Sequence, residues 1–242
     1  MVMRPRDRRR EFFQQEGSLV VKNFFSASEI AGAAKAQDAY YRGEYDREPE
    51  FDWPRPRKCR ARARKHPYAS FFSKALAKLL RDGRLAHLIQ ESCDMPNVRF
   101  WHDQLLYEEP REIGEINYHW HREESRWKTC AADQMITAWI PLVDFTPEMG
   151  PITLVPEGRD LETHRRMALH AGDLVLFGKS LLHGNPSNFG DQPRRALAAH
   201  FASGDLRYQA CGKFSHVNER IVRRLDGLPD FQDERVCPLI IA

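Results

Sequence analysis

The chain has 242 residues, of which 42% are hydrophobic and 29% charged, with a net charge of +3. This is the balance of a soluble globular chain long enough for one domain with a sizeable core. No apolar run approaches the ~20 residues of a membrane-spanning helix, and the basic opening "MVMRPRDRRREFF" has no apolar signal core. Cys59, Cys93, Cys130, Cys211 and Cys237 are dispersed without CxxC spacing. That argues against a disulfide framework or a zinc knuckle, and for reduced thiols in a cytoplasmic protein.

In chain order, "REFFQQ" predicts a helix stopped by Gly17, and residues Leu19 to Val21 a short strand. A second helix is expected from about Ala27 to Tyr41, opened by a capping box of Ser26 and Glu29. A Pro- and Arg-rich loop should follow, roughly Gly43 to Pro67. It contains the basic run Arg55, Arg57, Lys58, Arg60, Arg62, Arg64 and Lys65. That run reads as a solvated loop, as a loop over an active site that meets an anionic ligand, or as an anionic-surface contact partly neutralised by the acidic "YDREPEFD" upstream. No nucleic-acid partner is expected. "YASFFSKALAKLLRDGRLAHLIQESC" has helical spacing interrupted near Gly83, which suggests two short helices.

After Pro96 the texture changes. "VRFWHDQLLYEE", "QMITAWIPLVDF", "PITLVPEG", "GDLVLFGK" and "RRALAAHFAS" are short aliphatic and aromatic runs separated by turn signals such as "EMGP" and "HGNPSN". The pattern predicts an antiparallel sandwich or barrel. The fold class expected is mainly β: a double-stranded β-helix (jelly roll, cupin-like) preceded by helices. Its parts are a helical segment at about 1–95, a core at about 96–210 and a helical or irregular tail at about 211–242, all within a single domain of 1–242.

Two segments carry chemistry. His121 and Glu123 stand two apart in "YHWHREESRW", and residues i and i+2 of a strand share a face. His183 lies in "KSLLHGNPSN", and Arg194 follows it by eleven residues. Two imidazoles and a carboxylate on one face of Fe(II) leave the other positions open for a co-substrate and O2. A guanidinium fork can grip the co-substrate's carboxylate. Arg195 is the alternative grip, although adjacent strand residues face opposite ways. His119 shares the parity of His121 and is expected to be a pocket or outer-shell residue. A cupin-type site that also uses His119, or a non-catalytic jelly-roll binding protein, are the competing readings.

With these residues in place, the chain resembles the phytanoyl-CoA dioxygenase family of Fe(II)/2-oxoglutarate-dependent oxygenases. The resemblance runs through "FFQQEGSLVVKNFFSASEI", "DQLLYEEP", "WHREESRW", "MITAWIPLVDFTPEMGPITLVPEGRD" and "GDLVLFGKSLLHGNPSNFGDQPRRALAAHF". It implies Fe(II) bound by His121, Glu123 and His183. It further implies 2-oxoglutarate held by Arg194 and lined by Gln104, Trp139 and Asn185. The implied reaction is hydroxylation of a small-molecule C–H bond with O2, releasing succinate and CO2. Glu123 departs from the Asp usual in the family. It keeps the charge and adds a methylene, so its strand should sit further from the metal. The family's name does not specify the substrate. Arg122, Arg126, Lys128 and the basic run hint at an anionic one.

Overall fold

The computed structural model describes residues 5–111, 118–213 and 215–241, with the side chains of residues 5, 6, 118 and 119 outside that description. Helix α1 (Pro5–Glu16) ends at Gly17, whose φ of 69° suits glycine, and the chain enters strand β1 (Ser18–Val21). Helix α2 (Ala27–Arg42) carries the expected capping box: the Ser26 N–H donates to Glu29 at 2.8 Å, and the Glu29 N–H donates to the Ser26 hydroxyl at 3.3 Å. Two short helices follow, α3 (Lys74–Leu80) and α4 (Gly83–Cys93), each opened by a side-chain cap, Ser73 and Asp82 respectively.

Between α2 and α3 the structure corrects the sequence reading. The end of the expected loop is a strand, β2 (Ala63–Pro67), paired with β3 (Val98–Glu108) so that Lys65 opposes Leu106. The basic run is therefore divided. Arg55 pairs with Glu48 in the loop. Arg64 lies over the Tyr107 ring at 4.3 Å and the Tyr41 ring at 5.0 Å.

The remaining strands form two antiparallel sheets. The strands are β4 (Tyr118–His121), β5 (Met135–Pro141), β6 (Thr153–Leu154), β7 (Arg165–Arg166), β8 (Leu174–Gly178), β9 (His183–Asn185), β10 (Arg194–Ser203) and β11 (Leu239–Ile241). The larger sheet runs β1-β8-β5-β10-β3-β11, with β2 also paired to β3; the smaller runs β4-β9-β6-β7. The tail, expected to be helical or irregular, ends in a strand of the large sheet, because Leu239 and Ile241 pair with the start of β3. Two-residue ladders, 130–131 with 207–208 and 224–225 with 228–229, complete the described pairing.

The period-2 pattern of the large sheet divides its residues between two cores. Ala138, Ile140, Leu174, Leu176, Leu197 and Ala199 pack toward the helices. Trp139, Val175, Phe177, Ala196 and Ala198 face inward and join Ile152 and Leu154 between the sheets. This is the jelly-roll architecture, and its inner core frames the site. Among the described residues, no helix is long and apolar enough to cross a membrane.

Candidate metal centre and co-substrate cavity

His121 closes β4 and His183 opens β9, and the two are direct cross-strand partners with ring centroids 4.2 Å apart. Glu123 reaches them by a route the sequence reading did not anticipate. The ladder ends at His121, and Glu123 begins a 3-10 turn (Glu123–Ser125). Arg122 between them keeps extended dihedrals (φ −114°, ψ 141°), so His121 and Glu123 still project to one side. The turn is pinned where the Glu124 N–H donates to the Lys179 carbonyl at 3.1 Å.

Glu123 Oε1 lies 3.5 Å from His183 Nε2 and 3.9 Å from His121 Nε2. One ligand atom from each residue falls within 4.8 Å of the others, a group that could hold one metal ion. The tautomer of His183 suits that role. Its Nδ1 is 2.9 Å from the Leu181 carbonyl, which can only accept, so Nδ1 carries the proton and Nε2 turns a lone pair to the centre. Burial by itself would raise the Glu123 pKa. The surrounding His183, His200 and His121 imidazoles outweigh burial and bring it to about 2, so the carboxylate is ionised. Donor set, spacing and charge all fit a divalent transition metal.

The centre opens into a cavity lined by Lys65, Gln104, Thr137, Trp139, Asn185 and His200, with Phe177 and Ile152 as apolar walls. A second cavity is lined by Arg194, Glu108, Arg64, Tyr107 and Ala196. The two share Leu106, Trp139 and Asn185 as wall. The two cavities are thus adjacent, with the metal group at one and Arg194 at the other.

Arg194 is buried and fixed. Its Nη1 donates to the carbonyls of Met149 at 3.1 Å, Pro186 at 2.6 Å and Gly150, and its Nη2 pairs with Glu108. Glu108 in turn accepts from the Asn188 N–H at 2.9 Å. Gly150 is required in this cradle: its φ is 61°, and a Cβ there would overlap the Pro186 carbonyl oxygen. Arg195 faces the other way, onto α2, donating to Gln37 at 2.6 Å and to Asp38 at 2.7 Å. Of the two arginines, Arg194 is the one at the cavity.

The structure therefore brings together His121, Glu123, His183, Gln104, Trp139, Asn185 and Arg194. The position expected for the His119 side chain lies outside the described residues. Glu108, Thr137 and His200 at the cavities were not singled out from sequence, and Lys65 was named only within the basic run. Lys65 was hidden in a run read as loop, although the alternation "RARAR" was a period-2 signal. Burial brings its pKa down to about 8, with Glu123 partly opposing. His200 shares the strand parity of Arg194, which could have placed it in the cavity.

The antiparallel jelly roll, with a His-Glu-His group at one cavity and a buried arginine at the cavity beside it, defines the class of non-haem iron oxygenases that use 2-oxoglutarate. The profile of the phytanoyl-CoA dioxygenase (PhyH) family matches residues 13–196, and the chain belongs to that family. It is a 2-oxoglutarate-dependent oxygenase whose cofactors are iron and 2-oxoglutarate. Solved structures similar in fold include the α-ketoglutarate-dependent epimerase SnoN from nogalamycin biosynthesis (19% identity, 97% of this chain and 98% of that one, TM-score 0.74). The carbocyclase SnoK from the same biosynthesis is similar at 18% identity, over 97% of this chain and 96% of that one, with a TM-score of 0.76. EctD from S. alaskensis, solved with 2-oxoglutarate and 5-hydroxyectoine, is similar at 20% identity, over 86% of this chain and 81% of that one, with a TM-score of 0.70. No curated protein matches the chain in sequence.

Proposed function

We propose that the 1–242 chain is one catalytic domain that hydroxylates a C–H bond of an anionic small molecule in the cytoplasm. The observation that carries this reading is the convergence of the His121, Glu123 and His183 ligand atoms within 4.8 Å at a cavity whose walls continue to Arg194. In this reading the three side chains hold Fe(II), and Arg194 takes the distal carboxylate of 2-oxoglutarate. Gln104, Trp139 and Asn185 line the co-substrate between those ends.

When bound, iron and 2-oxoglutarate supply the oxidising power: 2-oxoglutarate, O2 and R–H become succinate, CO2 and R–OH. The chain's own residues supply position and environment. Arg194, locked by three carbonyls and Glu108, presents its guanidinium in one orientation. Trp139, Phe177 and Ile152 exclude water from the reacting region. Glu123 stays ionised, so the ligand set keeps one negative charge. Lys65 adds a cation to the cavity wall, and this favours a substrate bearing a carboxylate or phosphate. The five free thiols suit a reducing compartment.

The test has two stages. Purified protein with Fe(II), ascorbate and O2 should convert 2-oxoglutarate to succinate slowly without substrate, and Glu123→Ala should abolish this. Organic acids and phosphate esters that accelerate succinate formation are then examined by mass. A gain of one oxygen establishes hydroxylation. A loss of two hydrogens, or an unchanged mass with inverted configuration, replaces hydroxylation by ring closure, desaturation or epimerisation.

A further inference from the structure

We propose that His200 positions the keto-acid co-substrate by donating a hydrogen bond from Nε2 to the carboxylate beside its keto group. This rests on the iron and 2-oxoglutarate reading above and adds a residue to it. The inward face of β10 reads Arg194, Ala196, Ala198, His200, each two residues from the last and therefore on one side of the strand. At ~3.3 Å per residue the two ends stand roughly 20 Å apart along the strand. The alanines between them leave a trough. Arg194 and Ala196 line the second cavity; Ala198 and His200 line the metal cavity. A diacid whose distal carboxylate sits at Arg194 turns its other carboxylate to the metal, on the side where His200 stands.

His200 is 1% exposed, and its ring is held on several sides. Its Nδ1 is 2.9 Å from the Thr137 hydroxyl, with Trp127 at 4.9 Å and His102 at 4.3 Å between centroids. Its Nε2 is buried and has no hydrogen-bond partner among the described residues. A buried polar atom without a partner is uncommon and calls for a ligand or an ordered water. His102 also has both ring nitrogens without partners among the described residues, yet it lines neither cavity. Among the described residues, only His200 combines the unmet nitrogen with a wall of the metal site. Burial lowers its pKa to about 4, with Glu123 opposing, so the ring is neutral and carries one proton. The Thr137 hydroxyl can donate to Nδ1, which leaves that proton on Nε2 as a donor suited to a carboxylate oxygen.

The experiment is anaerobic Fe(II) titration with two probes, 2-oxoglutarate and pyruvate, following the weak visible band of an iron-bound keto acid. Pyruvate keeps the carboxylate beside the keto group and lacks the distal one. His200→Phe should weaken both probes by a similar factor, about 10- to 100-fold for a lost bond to a charged group, and should move the band. His200→Gln, which retains a donor, should recover most of the affinity. Arg194→Met should weaken 2-oxoglutarate alone. His200→Asn, polar but too short to reach, substitutes for the Phe variant if that variant does not fold. Wild-type affinities with an unmoved band in His200→Phe would overturn the proposal, as would loss that His200→Gln fails to recover. No band with either probe in iron-loaded wild type would overturn the underlying 2-oxoglutarate reading instead.

Discussion

The buried pair of Arg194 and Glu108 makes the sharpest claim about stability. Both side chains are 6% exposed. Arg194→Met removes the ion-pair partner that Glu108 has in Arg194, a loss of about 3–5 kcal/mol for breaking a buried pair from one side. It also strips the Met149, Gly150 and Pro186 carbonyls of their shared donor, so the upper half of that range is expected. Glu108→Gln should cost less, about 1–3 kcal/mol, because the same three carbonyl dipoles still face the guanidinium and an amide oxygen can still accept from Asn188. In the double variant no ion is left unpaired. Adding Glu108→Gln to Arg194→Met should therefore be stabilising, with a coupling of about 2 kcal/mol or more for residues in direct contact. Urea unfolding of the four proteins at pH 7 measures the cycle. In melting temperature, each kcal/mol corresponds to about 2–4 °C for a chain of this size. A cost below about 1 kcal/mol for Arg194→Met, or strict additivity in the double variant, would refute the buried ion pair.

Three other outcomes are expected. Glu123→Asp shortens a carboxylate that reaches the histidines from a 3-10 turn, and should weaken Fe(II) or Co(II) binding roughly 10- to 100-fold, the size of effect seen when ligand support is disturbed; undiminished affinity by metal titration would mean the turn follows the side chain. Gly150→Ala forces a side chain onto the Pro186 carbonyl at positive φ, and should destabilise by more than about 2 kcal/mol in denaturant unfolding; a neutral result would mean the Arg194 cradle is loose. Asp103, fully buried beside Ser70, has its pKa raised from 3.8 to about 6 by burial, against the Ser70 hydrogen bonds. A raised acid contributes stability below pH 4 and loses it as pH climbs through 6. Asp103→Asn should therefore gain on wild type across pH 4–7, by about 3 kcal/mol at most, and a pH-independent difference between the two would contradict the shift.

The helices and the β core were legible because their signals are local. The capping box of Ser26 and Glu29 fixes where α2 begins, and aliphatic runs between turns mark the strands. What escaped was long-range or masked by composition. β2 lies inside an Arg-rich stretch whose charge resembled a solvated loop, and only pairing with β3 shows that Lys65 points at the metal cavity. β11 depends on β3 for its partner. The expectation that His121 and Glu123 share a side holds for a reason that is half right: it comes from an extended Arg122, while Glu123 itself has left the strand. Glu108 could not be read as the partner of Arg194, because the two are 86 residues apart and meet only through the β3–β10 register.

The most direct test of the account is anaerobic addition of Fe(II) and then 2-oxoglutarate to wild type, His183→Ala and Arg194→Ala, with the visible spectrum recorded. The account predicts a weak charge-transfer band in wild type and none in His183→Ala. Arg194→Ala should reach the band only at much higher 2-oxoglutarate, about 30-fold or more for a lost buried charge contact. Wild-type protein that binds iron and shows no band on adding 2-oxoglutarate would contradict the account at its centre.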